Sequence, residues 1–314
     1  MTITNHIGLV LRSTGSHYSV HLGEEGVVEC QIRGKFRMQG IKSTNPVAVG
    51  DRVEVERSGG EIPVIKKILK RENYIIRKAT RQSKQTHIIA ANLDQAIFVV
   101  TLAFPRTSTG FIDRFLVTAE AYHIPVLLVF NKIDLYDEAL AHKHGEMVRL
   151  YEDIGYHCVS VSAKTGEGMD EIRHLLAGKV SLLAGHSGVG KSALANAIDP
   201  ELDLKTGVIS QVHNKGKHTT TFAQMHILKQ GGYLVDTPGI KEFGLVDMER
   251  VEVAQRFPEM RSRMHRCRFH NCTHTNEPGC AVKEAVEAGL IAPSRYRNYM
   301  HILKEDIEDP LNYW

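Results

Sequence analysis

Apolar and polar positions follow two different rhythms along this 314-residue chain. Up to about residue 71 the rhythm is short and alternating. Residues 7–12 and 18–22 flank the turn Ser13-Thr14-Gly15-Ser16, a hairpin pattern. Residues 27–33 read as a third strand. The stretch Val49-Gly50-Asp51-Arg52-Val53-Glu54-Val55-Glu56 alternates apolar with charged side chains after a turn, as a half-buried strand does. Residues 62–69 make a fifth. Five short strands in so little chain predict a small OB-type barrel, although an SH3-like barrel would give a similar pattern. Basic residues fall in the connections: Arg33, Lys35, Arg37 and Lys42.

From residue 93 the rhythm changes to strands alternating with helices. Strands are predicted at 93–101, 125–130, 157–161, 180–185 and 233–235, and helices at 109–123, 137–154, 168–177 and 192–198. Such alternation predicts a mostly parallel sheet covered on both faces, with ligand-binding loops at the carboxyl ends of its strands. Between the two regions, residues 72–92 carry Arg77, Lys78, Arg81 and Lys84 among polar residues and read as a basic linker that contacts RNA phosphate. Beyond the sheet, helices are expected at 281–288 and 293–307. In the second, Tyr296, Tyr299, Met300, Leu303 and Ile307 form an apolar stripe expected to face a core. The expected organisation is a multidomain chain: a barrel (1–71), the linker (72–92), an α/β domain (93–245) and a mainly helical C-terminal domain (246–314).

Charge adds a direction to this picture. Residues 1–92 hold 15 Lys/Arg against 8 Asp/Glu, whereas residues 93–245 hold 14 against 17 and residues 246–314 hold 10 against 11. The excess of cations thus sits on the barrel and linker, as a nucleic-acid surface requires, or as a solvated basic face would show. The longest apolar run, residues 124–130, is too short to span a bilayer. The start, MTITNHIG, lacks a charged region followed by an apolar one, so a cytoplasmic, non-membrane protein, expected as a monomer, is the reading.

The chemistry concentrates at the strand ends. Gly185-His186-Ser187-Gly188-Val189-Gly190-Lys191-Ser192 spells GxxxxGKS between a predicted strand and a predicted helix that continues through Ala193. That is a phosphate-binding loop: its glycines let backbone N–H groups turn onto phosphate oxygens, and the helix N-terminus adds partial positive charge. Lys191 would reach the β- and γ-phosphates and stabilise their charge, and the Ser192 hydroxyl would hold Mg²⁺. Asn131-Lys132-Ile133-Asp134 is an NKxD motif. The Asp134 carboxylate can accept from N1–H and N2–H₂ of guanine, a pair that adenine lacks; Asn131 can bond the other edge of the base, and the Lys132 stem can lie over the ring. Ser162-Ala163-Lys164 matches the SAK loop, whose backbone N–H meets guanine O6. Asp236-Thr237-Pro238-Gly239 is a DxxG motif; Asp236 would approach Mg²⁺ through water, and the N–H of Gly239 would meet the γ-phosphate. Gly216-Lys217-His218-Thr219-Thr220-Thr221 occupies the place of a switch loop, with Thr220 a candidate Mg²⁺ ligand. After DxxG stands Ile240, which cannot orient a water, so slow intrinsic hydrolysis is expected and His218 is the candidate for placing the water.

Three of the five cysteines lie within 14 positions, and Cys267-x₄-Cys272-x-His274-x₅-Cys280 offers three thiolates and an imidazole, a closed tetrahedral zinc set. His265 and His270 are alternatives to His274 at this stage. Cys30 and Cys158 are isolated and read as buried apolar residues. Arg256, Arg261, Arg263, Arg266 and Arg268 precede or enter the cluster against one acid, Glu259, and form either an RNA-phosphate contact or a solvated face.

The order of the motifs is unusual. Conventional GTPases begin with the phosphate loop, whereas here NKxD and SAK come before it. A circular permutation explains this and leads the DxxG segment straight into the C-terminal domain. A barrel, a permuted GTPase domain and a C-x₄-C-x-H-x₅-C segment together resemble the RsgA family of bacterial small-subunit-dependent GTPases. Lys217 departs from the arginine common there but keeps the charge. The resemblance implies an OB-fold, one structural Zn²⁺, Mg²⁺ with GTP, and slow GTP hydrolysis stimulated by the 30S subunit and its 16S rRNA. It also implies a role in late 30S maturation with release of the assembly factor RbfA. A barrel-and-zinc RNA-binding module with a vestigial nucleotide site, or a permuted GTPase acting on another ribosomal particle, remain the other readings of the sequence.

Overall fold

A computed structural model describes residues 3–15, 17–32, 46–58, 61–78, 86–204, 223–236 and 249–308. The switch loop with His218 and Thr220, the residues Thr237 to Ile240, and Arg33, Lys35, Arg37, Lys42, Arg81 and Lys84 lie outside them.

The N-terminal strands close into a barrel. They are β1 (Ile3–Ser13), β2 (Tyr18–His21), β3 (Val27–Ile32), β4 (Arg52–Ser58) and β5 (Val64–Ile68). They pair in the order β1-β2-β3-β5-β4, and β4 returns to β1 from Ile3↔Ser58 to Leu9↔Arg52. β3 and β5 are parallel and the other pairs antiparallel. This closed five-stranded order fits the OB type. The alternation read from β4 holds: Val53 and Val55 point into a core with Val10, Tyr18, Val20, Cys30, Val47 and Ile65. Gly8 lets β2 cross β1 closely, because a Cβ there would sit 2.4 Å from Val20 Cγ1.

Residues 72–92, expected as a linker, instead contain an antiparallel pair, β6 (Tyr74–Lys78) and β7 (Thr86–Ala91). The pair is tied to the barrel where Gly50 takes φ +86° and Asn92 Nδ2 donates to Gly50 O at 2.8 Å. A Cβ at Gly50 would lie 2.0 Å from the carbonyl of Ala91, so only glycine fits.

The central sheet runs β10 (His157–Val161), β9 (Val126–Asn131), β8 (Gln95–Val100), β11 (Val180–Ala184), β13 (Tyr233–Asp236), β12 (Gln224–Ile227). All neighbours are parallel except the edge strand β12, whose far side meets β1 at Arg12↔Gln224 and so joins sheet to barrel. Alternate residues of β8 feed opposite faces. Ala96, Phe98 and Val100 pack beneath α1 (Thr109–Ala121) and α2 (Glu138–Glu152); Ile97 and Val99 pack beneath α3 (Met169–Leu176) and α4 (Lys191–Ile198). That two-sided burial is why β8 and β9 read as continuous apolar runs.

The C-terminal residues form short helices α5 (Arg250–Val253) and α6 (Pro258–Arg261), then α7 (Ala281–Glu287) and α8 (Pro293–Glu308). Tyr299 and Leu303 of the expected stripe are buried, joined by Ile302, while Tyr296 and Met300 pack at the margin. The core they enter includes Val117 from α1, so this unit is packed directly on the α/β domain.

Candidate nucleotide and metal sites

Because β8, β9, β10, β11 and β13 are parallel, the loops at their carboxyl ends share one edge of the sheet. The phosphate loop joins β11 to α4. Gly185, Gly188 and Gly190 take φ of 138°, 84° and 95°, and a Cβ at Gly190 would lie 2.6 Å from Asn131 Nδ2. These positions need glycine for conformation and for room. Lys191, the first residue of α4, donates from Nζ to the carbonyls of Gly185 (2.7 Å) and His186 (3.0 Å), which holds the ammonium over the loop. Ser192 and Ala193 follow it in α4, and Asp236 ends β13 beside Leu183 of β11. The strand that leads into the phosphate loop, β11, is thus the direct neighbour of the strand that ends in Asp236.

The guanine-side motifs start in register, since Val161 pairs with Asn131. Asn131 is 1 % exposed and bridges both neighbouring loops: Nδ2 donates to Val189 O at 2.9 Å, and Oδ1 accepts from Ala163 N–H at 3.2 Å. The Asn131 amide thereby ties the phosphate loop to the SAK loop. Lys132 adopts the left-handed conformation (φ 67°), and its Nζ donates to Gly188 O at 2.8 Å and to Phe104 O. Burial lowers the pKa of that ammonium, and the nearby Asp134 opposes the shift. Ile133 and Asp134 begin a 3₁₀ turn; the exposed Asp134 accepts from Ser162 Oγ at 2.7 Å, and Ser162 Oγ accepts from Thr165 N–H. Lys164 follows in the same loop.

A further loop, residues 101–108 after β8, was not singled out in the sequence. Pro105 Cδ would lie 3.3 Å from a Cβ at Gly188, and Phe104 holds Lys132 through its carbonyl. Thr107 Oγ1 accepts from Thr101 N–H (3.1 Å) and lies 2.8 Å from Nε2 of His186, whose Nδ1 is 3.1 Å from Ser187 O. Burial and the charges of Lys191 and Lys132 lower the His186 pKa against the bond to Ser187. A neutral ring donating from Nδ1 and accepting from Thr107 satisfies every contact. The sequence carries no signal for it, because β8 precedes both the NKxD and the phosphate-loop strands in the chain and lies between them only in the sheet.

At the other end of the chain, Cys267, Cys272, His274 and Cys280 place their ligand atoms within 4.8 Å of one another. His274 Nδ1 is 3.6 Å from Cys267 Sγ and 3.4 Å from Cys280 Sγ. A tetrahedral centre with metal–sulfur bonds of about 2.3 Å and a metal–nitrogen bond of about 2.0 Å sets N and S about 3.5 Å apart, so the four donors fit a structural metal ion. His265 and His270 are exposed and outside the cluster, which resolves the choice of histidine. Burial pushes the Cys272 thiol up to about 12; a bound cation reverses this, because a coordinated thiol is deprotonated outright. The loop is braced from behind. Tyr296 and Tyr299 donate to the carbonyls of His274 (2.6 Å) and Thr273 (2.5 Å). Burial alone would raise the Glu277 carboxyl, yet donors from Thr273 and Thr275 bring it down to about 2.

The sequence also missed a buried ionic cluster. Arg295 of α8, 1 % exposed, donates to Asp113 of α1 (Nη1 to Oδ1, 2.6 Å) and to both oxygens of Glu259 in α6 (2.8 and 3.2 Å). Asn298 and Tyr151 add bonds to Asp113 at 2.6 and 2.9 Å, and the guanidinium lies 4.6 Å from the Phe257 ring.

A parallel sheet that gathers a phosphate loop, an NKxD turn and an SAK loop along one edge defines a P-loop GTPase domain, here with its motifs in permuted order. Family models match on both sides of residue 66: the RsgA N-terminal domain at residues 7–65 and the RsgA GTPase at residues 68–246. The chain is 52% identical to the small ribosomal subunit biogenesis GTPase RsgA of Bacteroides fragilis over 301 residues, covering 96% of this chain and 97% of that one. The protein of that name from Christiangramia forsetii is 52% identical over 300 residues, 95% of each chain. Among solved structures, YjeQ from Thermotoga maritima superposes with a TM-score of 0.82 at 40% identity, covering 98% of this chain and 100% of that one. YloQ, described as a circularly permuted GTPase, gives 0.77 at 30% identity over 96% and 95%. The chain belongs to the RsgA GTPase family and is a GTP hydrolase.

Proposed function

We propose that this protein is a ribosome-biogenesis GTPase that binds the 30S subunit through 16S rRNA, hydrolyses GTP slowly alone and faster on the subunit, and assists late 30S maturation including release of RbfA. It would work in the cytoplasm as a monomer, with the barrel, GTPase and C-terminal units divided near residues 71–92 and 245. The observation that carries the reading is the Asn131 bridge: one buried amide joins the phosphate loop to the SAK loop, so motifs distant in sequence make one nucleotide cradle. Full-length similarity to proteins named for small-subunit biogenesis supports the ribosomal part. GTP turnover measured with and without purified 30S subunits tests it; equal rates would reject stimulation.

In this reading Asp134 selects guanine, aimed by Ser162. Gly185 through Ala193 enclose the phosphates, and Ser192, Asp236 and Thr220 serve Mg²⁺. Asp134→Ala strands buried guanine donors and should cost more than about 1.5 kcal/mol of GTP affinity. Titration with labelled GTP and ATP checks this, and equal affinity of the wild type for both would refute the assignment. Lys191 supplies electrostatic stabilisation; Ile240, after DxxG, has no hydrogen-bonding group to offer the water, and His218 takes that part. His218→Ala should therefore remove about 100-fold or more of the stimulated turnover while GTP and 30S binding persist. Stimulated turnover retained at saturating 30S would exclude a role for His218 in the chemistry. The metal of the Cys₃His cluster is inferred to be zinc, which favours three thiolates and an imidazole in a closed tetrahedron.

A further inference from the structure

The outer surface of the Cys₃His loop displays an aromatic ring among cations. Residues 265–271 are exposed apart from the half-buried ligand Cys267, and they include His265, Arg266, Arg268, Phe269 and His270. Phe269 is 39% exposed, and the Arg268 guanidinium carbon lies 5.5 Å from its ring centroid. A core function for Phe269 is ruled out by that exposure and by its absence from the cluster around Phe257 and Tyr299.

The display is fixed by the surrounding backbone. Cys267 and Cys272 hold the two ends of the segment at the metal cluster. Arg268 N–H donates to Gly279 O at 3.0 Å, and Cys272 N–H donates to Phe269 O at 3.3 Å. The ring therefore stands on a closed turn with little conformational freedom to lose on binding.

The charge around it has one sign. No acid occurs from residue 260 to 276. Glu259 is engaged by Arg295, and Glu277 by Thr273, Thr275 and Asn276. Arg261 is paired with Glu120 at 2.9 Å, but Arg266 and Arg268 have no carboxylate partner among the described residues. A ring beside unpaired guanidinium groups matches a nucleic acid strand, in which a π-face and a phosphate alternate. A duplex has its bases already stacked and would use only the cations.

We propose that Phe269 is a stacking platform for one unpaired base of single-stranded RNA, with Arg266 and Arg268 holding the adjoining phosphates. This rests on the reading of ribosomal RNA as the partner and names the form of RNA that the C-terminal unit takes.

The test uses the full-length, metal-loaded protein, a labelled oligouridine decamer carrying one 5-iodouridine, and an RNA duplex of the same length. Phe269→Leu keeps apolar bulk without a ring and should weaken decamer binding about tenfold or more, leaving duplex binding within about twofold. Phe269→Trp should retain decamer binding. Irradiation should crosslink the iodouridine to position 269 in the wild type and the tryptophan variant. R266Q/R268Q should weaken both probes and flatten the salt dependence for the decamer by about 1.4 in log–log slope. Metal content, measured for each variant, separates lost stacking from a lost fold. The proposal is overturned if metal-loaded Phe269→Leu binds the decamer as wild type does, the result expected of a surface for an acidic protein, or if it weakens both probes alike, the result expected of a disturbed loop. Sedimentation of the wild type with 30S subunits is run alongside: failure there rejects the ribosomal reading, whereas success there with no effect of Phe269→Leu rejects stacking alone.

Discussion

Arg295→Ala is expected to destabilise the protein by about 3–5 kcal/mol, the cost of breaking a buried ion pair from one side. Arg295 serves two carboxylates at once, Asp113 and Glu259, with side chains 0% and 9% exposed. Burial alone would lower the pKa of the guanidinium, but those carboxylates raise it, so it stays charged. Burial also pushes the Asp113 carboxyl up, against the bonds from Arg295, Asn298 and Tyr151. Alanine leaves both acids without a counter-charge and opens a cavity beside Phe257 and Tyr151, whose rings face the guanidinium. The cluster joins α1 and α2 to α6 and α8, so the loss should appear as loosening of the C-terminal unit from the GTPase domain. Urea unfolding and limited proteolysis read this directly. Replacing Asp113, Glu259 and Arg295 together by Leu, Leu and Met should recover much of the loss, because apolar residues of similar volume often replace buried ions without penalty. A loss below about 1 kcal/mol for Arg295→Ala would mean that water reaches the site and screens it.

Removing the metal should have a still larger local effect. Cys272→Ser, or treatment with a strong chelator, is expected to abolish metal binding and unfold residues 264–308 while guanine-nucleotide affinity stays near that of the wild type. A structural zinc contributes on the order of 10 kcal/mol in small domains. Here Cys272 and Cys280 are themselves part of the core formed by Phe257, Met260, Val282 and Tyr299. Tyr296 and Tyr299 of α8 donate to carbonyls of the ligand loop itself, so loss of the loop's fold removes these bonds as well. The phosphate, NKxD and SAK loops lie at the carboxyl edge of the parallel sheet, and among the described residues Asn131, Lys132 and Lys191 bond within these loops, between them and to Phe104. Metal analysis, circular dichroism and a GTP titration on the same preparations decide the matter. Protein purified without chelators that contains no zinc would refute the metal assignment, and a variant that loses zinc but keeps its helices would refute its structural role.

The sequence by itself determined whatever depends on residues close together in the chain. The barrel strands were legible because burial on one face imposes a period of two, as at Val53 and Val55. The central strands were legible because burial on both faces leaves an unbroken apolar run, as at residues 126–130. The phosphate loop and the Cys₃His spacing are local for the same reason: a short segment must wrap one ligand, so its residue types and intervals are constrained. The tertiary structure decided which distant segments meet. Thr86–Ala91 reads as linker in the sequence; its pairing with Tyr74–Lys78 comes from a partner strand and the Gly50 crossing. His274 rather than His265 or His270 completes the metal set because the fold buries only the first. Asn131 bridges to residues 32 and 58 positions away, and Arg295 reaches Asp113 across 182 positions. No local period encodes such a pair. A buried charge is tolerable only where the fold delivers its counter-charge, and that is settled by how the helices pack.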